Sequence, residues 1–296
     1  MEGSRNFIKK FKTEYSGKIF AYFCGILIII LTLSIMLFIA SKGLQTFIKD
    51  KQNVIDVIFG LNWKPDGEVP KYGALVFILG STLVSLGAVI ISAPIAIAVA
   101  IFMNMISKSI GKKILQPALE LFVGIPSVVY GWIGISVLVP FIKNHFGGLG
   151  FSLLSGILVL SIMILPTIAS LASDAIKTVP GDYIEASYGL GATRWQTIIK
   201  VLVPASKSGI LTGVVLGIAR AFGEALAVQM VIGNSAKVPS IITDSTATLT
   251  SIITMDMANT ASGTPWNNAL WTLAFILLII SFLFIVLIRK IGARGE

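Results

Sequence analysis

Residues 19–40 read IFAYFCGILIIILTLSIMLFIA and carry no charged side chain. Residues 26–33 within this stretch do not alternate between apolar and polar, as the strands of a membrane barrel would. About 20 apolar residues are enough to cross a bilayer as a helix. The lysines before the stretch suggest a secretory signal, but its apolar run is too long for one and no small-residue cleavage site is evident. We therefore predict a first transmembrane helix here.

Five further stretches meet the same criterion of length and hydrophobicity: residues 72–103, 117–142, 151–173, 209–233 and 267–288. The six stretches together contain only three charged residues, Glu120, Arg220 and Glu224. Over the whole chain of 296 residues, 55% are hydrophobic and 12% charged, and the mean hydropathy is +0.90. The sequence thus predicts an all-α polytopic membrane protein with six transmembrane helices over residues 19–296, preceded by a short segment, residues 1–18.

The distribution of basic residues predicts the orientation. Six spans place both termini on one side of the membrane. If that side is the cytoplasm, the inner segments carry 15 Lys and Arg and the outer segments seven, at nearly equal total length. This bias predicts cytoplasmic termini in a bacterial-type cell membrane. The inner segments are then residues 1–18, 104–116, 174–208 and 289–296, and the outer ones 41–71, 143–150 and 234–266.

Catalysis is not expected from the residues present. The chain has one cysteine, Cys24, and one histidine, His145, so it offers neither a Cys- or His-based metal site nor a catalytic triad. It contains no phosphate-binding loop of the ATPase type. The net charge of +9 could indicate nucleic acid, but the apolar content favours a membrane. We predict a protein without enzymatic activity, metal or cofactor.

The longest inner segment, residues 174–208, is expected to be folded. A short helix is predicted to end at Gly189 and Gly191, because glycine adopts positive φ freely. Thr193 and Gln196 have the spacing of a capping box, which starts a second helix. The segment is therefore expected to form a compact helix–turn–helix, which we call the knob. An ordinary interfacial connector fits the composition equally well.

A ridge of small residues marks the fifth predicted helix. Gly209, Gly213 and Gly217 recur every fourth residue, followed by Ala221 and Ala225. Such a ridge lets another helix approach closely in a membrane. It fits the central seam of the protein or of a dimer, and equally generic packing within the bundle. Serines on the second helix, Ser81, Ser85 and Ser92, are expected to bond to neighbouring helices rather than to line a pathway.

Arg220 and Glu224 lie near mid-membrane in the fifth predicted helix. Charges at this depth are costly and usually face a cavity or a partner. A guanidinium matches the oxygens of an oxyanion, and Glu224 could hold it when the anion is absent. The alternative is a permanent Arg–Glu pair that only fixes helix packing. We favour a pathway for an oxyanion.

Several motifs resemble those of a known transporter family. Glu185-Ala186-Ser187, followed after three residues by Gly191 and then by Val201 and Val203-Pro204, resembles the EAA loop of ABC importer permeases, with apolar or small substitutions at Ser187, Val201 and Val203. The stretches ELFVGIPSVVYG (residues 120–131), GLGATRW (189–195) and ARAFGE (219–224) are similar to the phosphate-importer permease subunits of the PstC type. The resemblance extends from about residue 58 to the end of the chain.

The resemblance implies a type I ABC importer permease that moves inorganic phosphate with energy from a separate ATPase. It assigns ATPase coupling to Glu185, Ala186, Gly189 and Gly191, and the substrate pathway to Arg220 and Glu224. The implied partners are a homologous permease subunit in a heterodimer, an ATP-binding cassette ATPase dimer and an extracytoplasmic phosphate-binding protein. A permease for sulfate or molybdate is the nearest alternative. A self-contained secondary carrier is a further one, although we find no paired repeats.

Overall fold

The computed structural model describes residues 16–293, and these residues are mostly helical. Five helices in this part of the chain are long and apolar enough to cross a membrane, or six if the pair Arg194–Ala205 and Lys207–Gly223, bent by 69°, counts as a single span. The predicted all-α, polytopic membrane architecture is therefore confirmed. The predicted N-terminal segment, residues 1–18, lies almost wholly outside the described residues.

The first third of the described chain contains two long helices joined by a small folded segment. Helix α1 spans Ser16–Gly43, and α2 and α3 are short, at Gln45–Ile48 and Val54–Phe59. Strands β1, Trp63–Lys64, and β2, Lys71–Tyr72, pair antiparallel with Trp63 opposite Tyr72. Helix α4 spans Leu75–Ile101 and continues as a π-helical turn, Phe102–Ile106.

The middle of the chain alternates short helices with π-helical turns. Helix α5 is Lys108–Ile110 and leads through the turn Gly111–Leu115 into α6, Gln116–Gly124. Helix α7, Ser127–Ile133, continues through Gly134–Leu138 into α8, Val139–Phe146. The long helix α9 spans Leu153–Lys177.

The remaining elements form the knob and the last two spans. The knob contains α10, Gly181–Gly189, then α11, Arg194–Thr197, a π-helical turn, Ile198–Leu202, and α12, Val203–Ala205. Helix α13 spans Lys207–Gly223 and α14 spans Leu226–Ile232. Helix α15 is Leu249–Asp256, a 3-10 turn follows at Met257–Asn259, and α16 is Pro265–Ala293.

Helix α9 is the centre of the bundle. Within its most apolar stretch 67% of the residues are buried, against 0% for α1. Helices α4 and α13 pack along α9, and Leu160, Ile164 and Ile168 on α9 are fully buried in the largest apolar cluster. Helix α1 contacts mainly α16, where the Thr272 hydroxyl donates to the Gly43 carbonyl at 2.7 Å. Because α1 exposes apolar side chains all round, its outer surface suits lipid.

The third predicted span, residues 117–142, is wrong as a single helix. Helix α6 ends at Gly124, and Ile125 and Pro126 are extended with ψ of 127° and 138° before α7 begins. Proline disfavours the helical region for the residue before it and has no N–H to donate. The Tyr130 hydroxyl donates to the Phe122 carbonyl at 2.8 Å and so satisfies one carbonyl at the break.

The third outer segment, residues 234–266, is ordered and folds back onto the bundle. Thr246, Ala247, Thr248 and Leu249 are all buried. A Cβ on Gly80 would clash with the Ala247 carbonyl, so the segment lies directly against the start of α4. A disordered loop, which the composition alone would allow, is not what these residues form.

Candidate functional site

The fifth predicted span, residues 209–233, is also wrong as a single helix. Helix α13 ends at Gly223, and Glu224 has an extended backbone with φ −75° and ψ 126°. The Glu224 carboxylate accepts a hydrogen bond from Ala227 N at 3.1 Å and so caps α14. The Thr250 hydroxyl donates to the Glu224 carbonyl at 2.8 Å. The Glu224 carbonyl, which the break leaves without a partner in the helix, and the Glu224 carboxylate are therefore both hydrogen-bonded within the protein.

Arg220 lies three residues before this break, about 20 Å along α13 from its start at 1.5 Å per residue. Its side chain is half-buried, and its Nη1 donates to Thr167 Oγ1 on α9 at 2.9 Å. Among the described residues, Arg220 and Glu224 form no ion pair with each other. The predicted i,i+4 pair requires a continuous helix, and the helix stops before Glu224.

Hydroxyl groups surround the break at Glu224. A cavity of about 10 Å³ is lined by Glu224 and by Ser81, Ser85, Thr248 and Thr250, together with apolar side chains. This is close to the smallest volume that holds one water molecule. The Ser81 hydroxyl accepts a hydrogen bond from Leu249 N at 2.8 Å, as expected for a serine that bonds a neighbouring segment. The buried hydroxyl of Ser92 has no hydrogen-bond partner in the described part of the chain.

Two threonines at this site are not among the residues predicted from the sequence. Thr167 holds the Arg220 guanidinium, and Thr250 holds the Glu224 carbonyl. Thr167 follows Pro166 inside an apolar span, and a hydroxyl beside an intramembrane proline is a usable signal. Thr250 lies in the predicted outer segment, and no sequence signal places it beside Glu224.

The glycine ridge lies against α9 of the same chain. A Cβ on Gly213 would lie 3.1 Å from Leu171 Cβ, and one on Gly209 would clash with the Ala175 side chain. At Gly217 the Cβ would lie 2.6 Å from Ile168 Cγ1. Since Ile168 is fully buried, it has little room to move. The three glycines therefore let α13 approach α9 closely, which brings Arg220 within reach of Thr167.

We expect Gly217→Val to destabilise the helix pair by about 1–3 kcal/mol through overpacking against Ile168. Thermal unfolding of the detergent-solubilised chain measures the effect. Gly223→Val, on the same helix, is the matched control, because nothing lies within 4 Å of a Cβ at Gly223. Equal unfolding temperatures for the two variants would contradict the close packing.

The knob contains the predicted helix, glycine turn and second helix. Helix α10 ends at Gly189, as predicted, although Gly189 is its last helical residue and does not have positive φ. The turn is at Gly191, whose φ is +81°. The capping box is present as predicted, with Thr193 Oγ1 accepting from Gln196 N at 3.3 Å and Thr193 N donating to Gln196 Oε1 at 2.8 Å. The Ser187 and Thr197 hydroxyls, 3.0 Å apart and buried, join the two helices.

The outer surface of the knob is unusually apolar for a solvent-facing segment. Leu190 is 90% exposed, and Tyr183 and Trp195 are also exposed. Glu185 and Ala186 are exposed on α10. Beside them lies a cavity of about 580 Å³, lined by residues of both knob helices. An exposed apolar patch of this kind is typical of a surface that contacts another protein.

The described helices thus form a polytopic bundle with a broken span at an intramembrane arginine and a folded knob between α9 and α13, an architecture typical of a membrane permease. The sequence matches the family described as "Binding-protein-dependent transport system inner membrane component" over residues 92–294. The chain belongs to this family, as a multi-pass permease of the cytoplasmic membrane.

Individual relatives agree with this assignment. The chain is 51% identical over 284 residues to the "Probable ABC transporter permease protein YqgH" of Bacillus subtilis (strain 168), covering 96% of this chain and 92% of that protein. It is 33% identical over 261 residues to the "Phosphate transport system permease protein PstC" of Xylella fastidiosa (strain 9a5c), with coverages of 81% and 79%. A solved structure titled as inward-facing conformations of the MetNI methionine ABC transporter shares the fold, with a TM-score of 0.56, 19% identity and coverages of 76% and 94%.

Proposed function

We propose that this chain is the permease subunit of an ATP-driven importer of inorganic phosphate, and that a separate subunit hydrolyses the ATP. The proposal rests mainly on the environment of Arg220. This residue is half-buried beside a helix break and forms no ion pair among residues 16–293. Relatives named as phosphate transport permeases, at 31–34% identity over about four fifths of the chain, support the choice of phosphate.

The guanidinium of Arg220 suits an oxyanion. A guanidinium carries five N–H donors and a positive charge in a planar fork that matches the oxygens of an oxyanion. The structure pairs Nη1 with Thr167, so the other donors are available to an anion. Placing a charge at the centre of a membrane helix costs at least about 2.5–3.5 kcal/mol on insertion scales, so a function for it is expected. In this proposal phosphate replaces water as the partner of the guanidinium during passage.

Glu224 has a different role from Arg220 in this proposal. Its carboxylate and carbonyl are both engaged in holding the break, by Ala227 and Thr250. The break ends α13 at Gly223, so Arg220 lies in the last turn of the helix and its guanidinium is close to the helix end. Glu224 therefore shapes the pathway, and Arg220 contacts the anion.

The knob links this site to a partner. The apolar cluster that contains Ile176 of α9 and Ile210 of α13 also contains Leu202 of the knob, with Ile184 packed against it. The Arg220–Thr167 hydrogen bond joins the same two helices, α13 and α9. A force on Glu185, Ala186 and Gly191 would therefore move the two helices that hold Arg220. We propose that an ATPase supplies this force from the cytoplasm.

The remaining partners are proposed by analogy with the family. A phosphate-binding protein outside the membrane would deliver the anion, and a homologous permease subunit would complete the pathway. The glycine ridge on Gly209, Gly213 and Gly217 contacts α9, so in this proposal it serves the packing of the subunit itself. Cytoplasmic termini and a cytoplasmic knob are part of the proposal.

The test is reconstitution of the chain with its neighbouring subunits in vesicles, followed by ATP-dependent uptake of phosphate, sulfate and molybdate. We expect uptake of phosphate well above that of the other two. Preferred uptake of sulfate or molybdate would show that the substrate is not phosphate, while the proposal that the chain is an importer permease would stand. Phosphate flux through the purified chain alone, driven by an ion gradient, would instead identify a secondary carrier.

A further inference from the structure

A second cationic site lies at the end of the bundle that carries the knob. A cavity of about 320 Å³ is lined by eight residues, of which six are polar or charged. They are Met103, Asn104, Lys108, Gly111, Lys112, Gln116, Ser173 and Lys177. Three lysines and no carboxylate face this space. None of these residues belongs to the candidate site around Arg220 and Glu224.

The backbone brings these lysines together. The chain turns back after α4 at Ser107, whose φ and ψ are −138° and 83°. A Cβ on Gly111 would lie 2.6 Å from the Met103 carbonyl oxygen, so the returning chain lies directly against the end of α4. Lys108 and Lys112 are four residues apart and line the same cavity. Like charges at this spacing repel each other, and an anion between them would remove the repulsion.

Neutral polar groups complete the wall. The Asn104 side-chain amide donates to Ala100 O at 2.8 Å and to Ser173 Oγ at 2.9 Å, which joins the end of α4 to α9. Ser173 is 2% exposed, and among the described residues its hydroxyl accepts this bond without donating one. A buried hydroxyl hydrogen at the cavity wall is thus available to an acceptor.

Nearby carboxylates pair with only one of the three lysines and leave Lys108 and Lys112 without an ion pair among the described residues. Asp174 pairs with Lys177 at 3.0 Å, and Glu120 accepts from Gln116 at 3.2 Å, but neither acidic residue lines the cavity. Lys177 lies in the last turn of α9, where the helix dipole attracts a cation. Lys108 and Lys112 lie outside that helix, so the dipole does not account for them.

We infer that this cavity, the lysine pocket, binds a phosphate group. Lysine binds phosphate as a point charge, and basic pockets between membrane helices near the cytoplasmic surface bind anionic headgroups. The group is either the headgroup of an anionic lipid or free inorganic phosphate. The inference concerns Lys108 and Lys112 and holds whether or not Arg220 contacts a transported anion.

Two binding measurements on the full chain separate the sources. In the first, native mass spectrometry counts phosphatidylglycerol retained by the detergent-purified chain, with phosphatidylcholine as the neutral reference. In the second, equilibrium dialysis measures radiolabelled phosphate bound to the chain in phosphatidylcholine nanodiscs. The second uses an Arg220→Gln background, so that binding in the pathway does not contribute.

The variant pair is Lys108→Gln/Lys112→Gln and, as the matched control, Lys113→Gln/Lys207→Gln. The control removes the same charge from exposed lysines that do not line the cavity. We expect the first pair to weaken binding about tenfold or more in one of the two measurements, and the control to change it less than twofold. Loss of phosphatidylglycerol identifies a lipid site, and loss of phosphate an anion site. Equal effects of the two pairs, or no binding by the unsubstituted lysine pocket in either measurement, would overturn the inference.

Discussion

Arg220→Gln is expected to lower ATP-dependent phosphate uptake by about 100-fold or more while the complex still assembles. Charge-assisted hydrogen bonds contribute about 1.5–3 kcal/mol each, and glutamine provides neither the charge nor the planar fork. The close approach of α13 to α9 depends on the glycine ridge, where Gly213 and Gly217 lie against Leu171 and Ile168, so the substitution should leave this packing intact. Uptake in vesicles and co-purification with the ATPase subunit are measured on the same preparation.

Two further variants separate the pathway from a purely structural role. Arg220→Lys keeps the charge and loses the fork, so uptake is expected between that of the wild type and Arg220→Gln. Thr167→Val removes the hydroxyl that holds Nη1 and should lower uptake several-fold, whereas Thr167→Ser should not. If Arg220→Gln transports normally, the guanidinium is not in the pathway. If the variant does not co-purify with its partners, the residue serves packing instead.

The sequence predicts the membrane-spanning elements well because hydrophobicity and length alone determine which segments enter a bilayer. The sequence indicates the helix break after Gly124 but not the helix break at Glu224, and the difference has a physical reason. Pro126 is the sequence signal for the interruption after Gly124, since proline cannot donate and disfavours a helical residue before it, and a bend at this proline is expected from the sequence. At Glu224 the extended backbone is stabilised by Thr250, from a segment 26 residues away. No local pattern indicates such a contact.

The candidate site shows the same division between local and tertiary information. Local rules suffice for the capping box at Thr193 and for the positive φ at Gly191. The predicted interaction of Arg220 with Glu224 assumed an uninterrupted helix, and the break redirects Glu224 to Ala227. The partner of Arg220 is Thr167, and that contact depends on how closely the glycine ridge lets α13 approach α9. The spacing of residues along α13 alone does not predict the distance between Arg220 and Thr167.

Gly191→Pro is expected to uncouple ATP hydrolysis from uptake. Gly191 has φ of +81°, whereas proline fixes φ near −65°. The Gly191 N–H donates to Tyr188 O at 2.9 Å, and proline has no hydrogen to donate. Proline also disfavours the near-helical backbone of Leu190, whose ψ is 4°. The turn that sets the angle between α10 and α11 is therefore lost, and uptake should fall about tenfold or more while ATP hydrolysis continues.

Two matched variants show whether the turn itself is responsible. Gly189→Ala is the control, since Gly189 is helical with nothing within 4 Å of a Cβ, and alanine favours a helix by about 0.5–1 kcal/mol. It should transport normally. Glu185→Lys reverses an exposed charge on α10 without altering the turn, so the knob stays folded and a loss of coupling reports on the contact with the ATPase. The ratio of phosphate taken up to ATP hydrolysed, measured in the same vesicles, gives the outcome. A wild-type ratio for Gly191→Pro would remove the knob from the coupling pathway, and an equal loss for Gly189→Ala would show that the turn at Gly191 is not the cause of the uncoupling.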